Sequence, residues 1–168
     1  MLNEGRGWCT CHNVFGALPS IERIMLIGEH KHTLDDKKRL SLPSKFRKEL
    51  GKTVVLTKGL DTCLFVYSVK EWQKFSTKLG ELSMGQGDTR AFSRYFLGGA
   101  VETDIDSAGR ILIPDFLKDL AHLKSKVVVA GLGTRVELWD EKRWVDYQKA
   151  LEKKADVVAE KLGDIGMI

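Results

Sequence analysis

The stretch "IDSAGRILIP", residues 105–114, has a counterpart earlier in the same chain, "LDDKKRLSLP", at residues 34–43. Each stretch places an aspartate four residues before an arginine, and each continues through three further residues to a proline. The segment between arginine and proline alternates or runs apolar, which is typical of a short β-strand. The fold therefore has to accommodate an Asp-x-x-x-Arg loop twice, each time at the start of a strand.

The similarity between the two halves extends well beyond these loops. Farther along, "TVVL" at 53–56 matches "KVVV" at 126–129, and "LFVYSVKEW" at 64–72 matches "VELWDEKRW" at 136–144. Agreement of order and residue type over this length predicts two copies of one structural unit. The positions that agree at an offset of 71 residues are Gly28 with Gly99, Leu34 with Ile105, Asp35 with Asp106, Arg39 with Arg110, Leu40 with Ile111, Leu42 with Ile113, and Pro43 with Pro114.

Each copy is predicted to fold as a ββαββα unit. A first strand, "GEHKHTL" or "GAVETDI", leads into the loop, and a second strand, "RLSLP" or "RILIP", follows it. Pro43 and Pro114 suit the first turn of a short helix, and Gly51 suits the end of the first of these helices. Two further strands close each unit, "TVVLTKG" with "CLFVYS" and "KVVVAG" with "RVELW".

Helices are predicted within and after the copies. One is expected over residues 69–79, and a second is expected to be capped by Asp88 and to end at Gly98. In the short helix after Pro114, one side is expected to carry Phe116, Leu117 and Leu120. A stripe after the second copy predicts a helix that packs on its own domain, with an oligomer contact as the alternative; its members are Trp144, Tyr147, Leu151, Ala155, Val158 and Leu162.

The expected class is therefore α+β, with tandem repeats and flanking helices. Residues 1–24 lie outside the repeat, and they are expected to be a disordered extension or a gene-model artefact, with translation starting at Met25. The predicted ranges that follow are a first repeat at 25–72, connecting helices at 73–98, a second repeat at 99–144, and a C-terminal helix and tail at 145–168.

Composition limits the class of protein. Of the 168 residues, 43% are hydrophobic, which allows a buried core and argues against a disordered chain. No apolar run approaches the roughly 18 residues of a transmembrane helix, and no secretory signal is evident. Three cysteines are too few and too unevenly spaced for a disulfide framework, so we expect a cytoplasmic protein.

Positive charge is concentrated in the first copy. The chain carries a net charge of +4, but residues 28–52 hold eight Lys/Arg against four acidic residues, a net of +4. The matching window, 99–124, holds three against five, a net of −2. If the protein binds a polyanion, the first copy should therefore make most of the phosphate contacts.

The second loop shows what the repeated motif could do. Gly109 permits a positive φ, and Asp106 can accept hydrogen bonds from loop N–H groups or pair with Arg110. A guanidinium held in this way would project from a stiff turn. Its planar fork of donors suits phosphate groups and guanine edges.

The first loop adds Lys37 and Lys38 beside Arg39, which makes it a candidate nucleic-acid contact. The alternative is that Asp35–Arg39 and its counterpart merely brace the chain, since surface ion pairs are common and individually weak. Duplication of the loop favours the functional interpretation, because a repeated contact element matches the repeated geometry of duplex DNA.

Other candidate sites are weaker. His30 and His32 lie on one face of a predicted strand, near Asp35 and Asp36, so a metal site is conceivable. Exposed strand histidines beside a basic surface, able to approach phosphates, are the favoured interpretation, because a metal-dependent hydrolase with such a pair needs a far larger barrel of roughly 250 residues.

"CTCH" at 9–12 offers Cys9, Cys11 and His12, but no second pair of zinc ligands accompanies them, and Cys63 is expected to pack as a small hydrophobic residue. The chain has no Walker-type phosphate loop and no nucleophile elbow, and "GLGTR" at 131–135 is better explained as a turn. We therefore predict no catalytic residue, metal or cofactor.

The stretches "GEHKHTLDDKKRLSLPSKFRKEL" and "DIDSAGRILIPDFLK" together resemble the MraZ family of bacterial transcriptional regulators, from Met25 to about residue 145. Asp35, Arg39, Asp106 and Arg110 match the paired motifs of that family. Where the family usually has glycine before the arginine, the first loop has a lysine, while the second loop keeps the glycine.

The resemblance implies interleaved swapped-hairpin β domains of the AbrB type, assembled into ring-like homo-oligomers that place many such loops against DNA. It also implies action on repeats upstream of the protein's own operon in the division and cell-wall gene cluster, mostly as a repressor. On these grounds we expect a nucleoid-associated regulator with no catalytic activity, no small-molecule substrate and no membrane partner. The alternative is an oligomeric scaffold that binds a protein partner.

In this interpretation Arg39 and Arg110 contact double-stranded DNA, and Lys37 and Lys38 reinforce the first loop. The residues expected to shape the loops rather than touch an anion are Asp35, Asp106 and Gly109. From the charge distribution, Arg39→Ala is expected to weaken binding more than Arg110→Ala.

Overall fold

The computed structural model describes residues 25–83 and 85–155. The expectations for residues 1–24, including Cys9, Cys11 and His12, and for Val158 and Leu162, lie outside this part of the chain. The strands in chain order are β1 (Leu26–Thr33), β2 (Arg39–Ser41), β3 (Thr53–Lys58), β4 (Leu64–Ser68), β5 (Val101–Asp104), β6 (Arg110–Leu112), β7 (Lys126–Gly133) and β8 (Val136–Asp140). The helices are α1 (Ser44–Leu50), α2 (Val69–Gly80), α3 (Gly87–Leu97), α4 (Asp115–Leu120) and α5 (Glu141–Glu152). The mixed α+β class and the predicted ββαββα order are confirmed.

Strands from both repeats share one antiparallel sheet. Its order is β1-β7-β8-β4-β3-β5, and a separate two-stranded ribbon joins β2 to β6. The first strand of each repeat pairs with the third strand of the other, while the two fourth strands meet at the centre. The order reads the same from either edge when each strand is exchanged for its counterpart, so the fold has an internal pseudo-two-fold relationship.

This interleaving means that neither repeat completes a sheet by itself. β1 pairs with β7 from Leu26↔Gly133 to Thr33↔Lys126, and β5 pairs with β3 from Thr53↔Asp104 to Leu56↔Val101. Within the first repeat, by contrast, Leu34, just after β1, forms an isolated bridge with Leu40 of β2. Backbone groups of each repeat are thus satisfied by the other repeat, which makes the described part of the chain a single folding unit.

The larger hydrophobic core lies between the sheet, the ribbon and the two short helices. Phe46 of α1 and Leu117 of α4 are fully buried in it, as are Leu40 and Ile111 of the ribbon. Phe46 and Leu117 are equivalent positions of the two repeats, as are Leu40 and Ile111. Each repeat therefore contributes large apolar side chains to one shared core. Burying side chains of this size stabilises by roughly 1.5–3 kcal/mol each, before the entropic cost of ordering the chain.

A smaller aromatic cluster covers the opposite face of the sheet under α2, α3 and α5. Phe65, Tyr67 and Trp139 reach it from the strands, and Phe96 reaches it from α3. A buried carboxylate, Glu137, lies in the same region at 7% exposure. It accepts hydrogen bonds from Arg135 Nε and Nη2 at 3.1 and 2.9 Å and from Trp139 Nε1 at 3.0 Å. The ion pair therefore fixes the indole that supports α5.

Several details of the helices differ from the predictions. Pro43 and Pro114 occupy the N-cap positions rather than the first turn, because their carbonyls accept the first helical hydrogen bonds, from Arg47 and Lys118 N–H at 3.0 Å. Gly51 ends α1 with a φ of 87°, as predicted. In α4 the prediction for Phe116 was wrong: it is 50% exposed, because its direction lies about 100° from that of the buried Leu117.

The predicted helix over residues 69–79 is confirmed as α2, and α3 ends at Gly98 as predicted. Asp88, however, does not cap α3. The helix begins at Gly87 with Gln86 at the N-cap and no side-chain capping bond, so Asp88 lies within the first turn. There its carboxylate still favours the helix through the macrodipole.

The α5 stripe packs on its own domain only in its first half. The rings of Trp144 and Tyr147 lie 5.4 and 5.0 Å from the ring of Trp139. Leu151 is 46% exposed and Ala155 is exposed as well. The prediction is therefore confirmed for the aromatic residues and wrong for the later described positions.

Candidate functional site

The first Asp-x-x-x-Arg loop is closed by its own aspartate. Asp35 Oδ1 accepts the backbone N–H of Arg39 at 2.8 Å, and Oδ2 accepts Arg39 Nε at 2.8 Å, with Nη2 also 2.8 Å away. The backbone adds Asp35 N–H to the Arg39 carbonyl at 3.0 Å and Lys38 N–H to the Asp35 carbonyl at 2.9 Å. The arginine is thus held at the backbone and at the guanidinium by one carboxylate.

The second loop repeats this geometry. Asp106 Oδ1 accepts the backbone N–H groups of Arg110 and Ala108, both at 2.9 Å. Its Oδ2 accepts Arg110 Nε at 2.9 Å and lies 2.8 Å from Nη2. The side chains of Arg39 and Arg110 are each 31% exposed. The sequence repeat is therefore a repeat of one built loop, with the predicted Asp–Arg pairs present in both copies.

These contacts lower the pKa of both carboxyl groups. For Asp35 the main cause is the backbone N–H of Arg39, and for Asp106 it is the Arg110 side chain, with burial opposing in each case. Both carboxylates are therefore ionised at neutral pH and hold the Nε–Nη2 edge of their arginines. The outer edge of each guanidinium faces away from that pairing and is the edge suited to a further acceptor.

The residue before each arginine takes the left-handed backbone conformation. Gly109 has a φ of 78°, as predicted, and Lys38 has a φ of 60° in the first loop. A lysine there is strained by roughly 1–2 kcal/mol relative to glycine. Lys38 nevertheless keeps the loop geometry, and its ammonium lies 2.5 Å from Asp115 of the second repeat.

The ribbon joins the two loops. In its register Arg39 lies opposite Leu112, Leu40 opposite Ile111, and Ser41 opposite Arg110. The Gly109 carbonyl accepts the N–H of Leu42, and the Lys38 carbonyl accepts the N–H of Ile113, both at 2.9 Å. Each loop is thus hydrogen-bonded to the strand of the other repeat, at opposite ends of one ribbon.

The two faces of the ribbon differ in character. Leu40 and Ile111 point into the core and are fully buried. Because side chains alternate along a strand, the four remaining residues share the other side, which we call the outer ribbon face. Diagonal neighbours on such a face lie about 7–8 Å apart, and the two arginines occupy such diagonal positions. The outer ribbon face consists of Arg39, Ser41, Arg110 and Leu112.

One basic residue near this face was not predicted. Arg47, in the last turn of α1, lies against Gly109 of the second loop, where a Cβ would overlap its guanidinium. Its Nε is buried without a hydrogen-bond partner among the described residues. The contact joins the first repeat to the second, so aligning the two repeats could not reveal it. The only indication in the sequence is that the second loop has glycine where the first has lysine.

The remaining predicted residues are more peripheral. Lys37 is exposed at the tip of the first loop. His30 packs edge-on against Phe46, with ring centroids 5.2 Å apart, and burial lowers the pKa of the half-buried His32. Across residues 25–83 and 85–155, no three His, Cys, Asp or Glu side chains group in a way that could hold a metal ion.

Cys63 precedes β4 and is 1% exposed, which confirms that it packs as a small hydrophobic residue. Its thiol donates to the Leu60 carbonyl at 3.0 Å, and burial raises its pKa well above the usual range. In the part of the chain that the structure describes, no helix has the length and apolar character needed to cross a membrane.

Comparison with known proteins matches this chain to a single family. A family model described as "MraZ protein, putative antitoxin-like" matches residues 25–95 and again 96–163. A protein named transcriptional regulator MraZ from Caldanaerobacter subterraneus subsp. tengcongensis is 46% identical over 143 residues, covering 85% of this chain and all of its own length. Relatives of the same name from a Thermoanaerobacter species and from Alkaliphilus metalliredigens are 47% and 45% identical, with the same coverage.

Proposed function

The chain belongs to the MraZ family, and from this premise we propose that it is a sequence-specific transcriptional regulator that binds double-stranded DNA through the outer ribbon face and its two loops. The single observation that carries the proposal is the placement of two arginines, each held by its own aspartate, at diagonal positions on one face of a two-stranded ribbon. Such a ribbon fits the major groove of B-DNA.

The arginines are the principal contacts in this proposal. Each is held by a carboxylate on its Nε–Nη2 edge, which leaves the outer edge of the guanidinium outside that pairing. That edge can donate two parallel hydrogen bonds to guanine O6 and N7 or to phosphate oxygens. Asp35 and Asp106 shape the loops and do not touch the DNA, because a carboxylate beside a phosphate is repelled.

Further phosphate contacts beside both arginines come from the first repeat. Lys37 is exposed beside the first loop, and Arg47 stands beside the second loop although it belongs to the first repeat. Lys38 contributes less than its charge suggests, because Asp115 partly neutralises it. Positive charge is therefore distributed along both ends of the ribbon.

The resemblance to the family also implies an arrangement of the repeats, an assembly and a regulatory role for this protein. The pairing of β1 with β7 and of β5 with β3 supports a swapped-hairpin arrangement of repeats at 25–72 and 99–144, with connecting helices between them. The protein would act in the cytoplasm, at the nucleoid, as a ring-like homo-oligomer on repeated promoter elements. It would repress its own operon in the division and cell-wall cluster, without catalysis or a cofactor.

The test is fluorescence anisotropy of a labelled duplex from upstream of the protein's own gene, titrated at two salt concentrations. Wild type should bind this duplex more tightly than a scrambled one, and the affinity should fall steeply with salt. Arg39→Ala/Arg110→Ala should remove the preference for the specific duplex. Arg94→Ala removes an exposed arginine on α3, at the opposite face of the sheet, and serves as the matched control.

Full binding by a folded double mutant would show that the loops only brace the ribbon. The second candidate function, an oligomeric scaffold for a protein partner, would then be favoured. The observation on its side is a pair of exposed apolar residues at the sheet edge, Ile27 and Leu132, which lie directly opposite each other in β1 and β7. Binding to such a partner should respond weakly to salt.

A further inference from the structure

We propose that Leu112 makes the outer ribbon face chemically asymmetric and selects a thymine methyl group on one side of the recognised DNA. The inference rests on the proposed function, since it concerns the bases that the same face would read. It comes from a mismatch between the symmetry of the backbone and the chemistry of two side chains.

The pseudo-two-fold axis that relates the two repeats passes through the centre of the ribbon. Leu40 and Ile111 are equivalent in the two repeats, and they lie directly opposite each other in β2 and β6. On either side of this pair, an arginine of one strand faces a residue of the other. The two halves of the face are therefore Arg39 with Leu112 and Arg110 with Ser41.

Ser41 and Leu112 occupy equivalent positions, 71 residues apart, but offer different chemistry. A serine hydroxyl can donate to or accept from any base edge, and so discriminates little. A leucine side chain can only make apolar contacts. In the major groove the C5-methyl group of thymine is the apolar feature that distinguishes one base from the others.

Leu112 is exposed because side chains alternate along β6, which directs Leu112 away from the core. Ile111 and Ile113, its neighbours on either side, are both fully buried, whereas Leu112 is 52% exposed on the outer ribbon face. Single exposed leucines are ordinary on protein surfaces. This one lies directly across the ribbon from Arg39, about 5 Å away by strand geometry, where a bound base pair would meet both side chains.

The geometry therefore assigns a guanine contact beside a thymine contact to the Arg39–Leu112 half, and a guanine contact without methyl selection to the Arg110–Ser41 half. A contact of this kind orients the ribbon on DNA, because the two halves of a symmetric site are no longer equivalent.

The experiment replaces thymine by uracil, which removes only the methyl group. Duplexes bound by the wild-type protein are first selected from a random-sequence pool, and each thymine of the selected duplex is then changed to uracil in turn. At one thymine the affinity of wild type should fall roughly three- to five-fold, the value of one buried methyl group. Leu112→Ser should be insensitive to that change, and Leu60→Ser, at a 51% exposed leucine of the β3–β4 turn, should respond as wild type does.

The exchange variant provides the stricter arm. Ser41→Leu/Leu112→Ser returns a leucine to the pseudo-two-fold face, and it should restore the uracil sensitivity that Leu112→Ser lacks, because the ribbon can bind in the reversed orientation. Thermal unfolding confirms that each variant is folded, which is expected because both positions lie outside the core.

The outcomes separate the two proposals. Specific binding that is unaffected by uracil at every position, sensitivity that persists in Leu112→Ser, or an exchange variant that stays insensitive would overturn the assignment of Leu112 and leave the regulator proposal standing. Failure of wild type to enrich any duplex would contradict the regulator proposal itself, and the assignment would fall with it.

Discussion

The guanidinium of Arg47, on the first repeat, lies directly over the backbone of Gly109, in the loop of the second repeat. In the first loop Lys38 occupies the position of Gly109 and extends to Asp115 of the second repeat. The two loops thus share one backbone geometry but differ in what stands beside them. Substitution of the residue before the arginine should therefore affect stability differently in the two loops.

Gly109→Ala should destabilise the protein for two separable reasons. The φ of 78° costs a residue with a side chain roughly 1–2 kcal/mol, and the new Cβ would also displace Arg47. Gly133→Ala is the matched control, since Gly133 has the same φ of 78° and open space around it. In urea unfolding, Gly109→Ala should lose more stability than Gly133→Ala, and adding Arg47→Ala should reduce the difference. Equal losses of stability in the two single variants would show that Arg47 moves away from the new Cβ without a cost in stability.

Arg39→Ala and Arg110→Ala should weaken DNA binding by similar factors. The charge of the two sequence windows predicts a larger loss for Arg39→Ala, but the folded chain distributes charge differently. Arg47 stands beside the second loop, and Lys38 is paired with Asp115 beside the first. We therefore expect losses within about three-fold of each other, measured by anisotropy at matched salt. Each variant should also flatten the salt dependence by about 0.9 in the log–log slope if one phosphate contact is lost.

A much larger loss for Arg39→Ala would support the sequence-based ranking and would mean that Arg47 adds little. Arg47→Ala measured in the same series decides between the two explanations, since it should reduce binding only if its guanidinium is part of the contact surface.

Part of this architecture could be predicted from the sequence because local chemistry specifies it. The loops, strands and short helices follow from the repeat, from alternation and from proline and glycine placement. The partner of each strand could not be derived in the same way, since alternation in β1 looks the same whether it pairs with β2 or with β7. Arg47 was missed for this reason: its contact exists only because the repeats interleave.

The local errors also have physical causes. Helix α4 has six residues, too few for periodicity to fix which side faces inward, and Phe116 was placed on the wrong side. At α3, the sequence offers Asp88 as the cap, but the chain enters the helix two residues earlier, with Gln86 at the N-cap and Gly87 as the first helical residue.

Glu137→Ala should be among the more destabilising single changes away from the hydrophobic core. The carboxylate is 7% exposed and holds both Arg135 and Trp139 Nε1. Its removal leaves the indole N–H without its acceptor and Arg135 without its counter-charge, and because the arginine is partly solvated we expect a loss of about 2–3 kcal/mol. Glu137→Gln retains an acceptor and should lose less. Equal losses for the two substitutions in urea unfolding would assign the effect to the lost negative charge, because glutamine keeps both the packing and an acceptor oxygen.

Acid should weaken the fold through the two loop aspartates. Hydrogen bonds from Arg39 and Arg110 lower the pKa of Asp35 and Asp106 relative to the unfolded chain. A lowered folded-state pKa means that the unfolded state binds protons first as pH falls, so the stabilisation is complete above the unfolded value near 4 and is lost as pH drops through the folded value. Urea midpoints of wild type should therefore fall as the pH drops below about 5. Asp35→Asn/Asp106→Asn should be less stable at pH 7 and should show a shallower decline over this window. Asp146→Asn, at an exposed aspartate in the middle of α5, is the matched control outside the loops. Parallel curves for wild type and the double variant would mean that the loop carboxylates keep the same proton affinity after unfolding, and their hydrogen bonds to the arginines would then contribute nothing to stability.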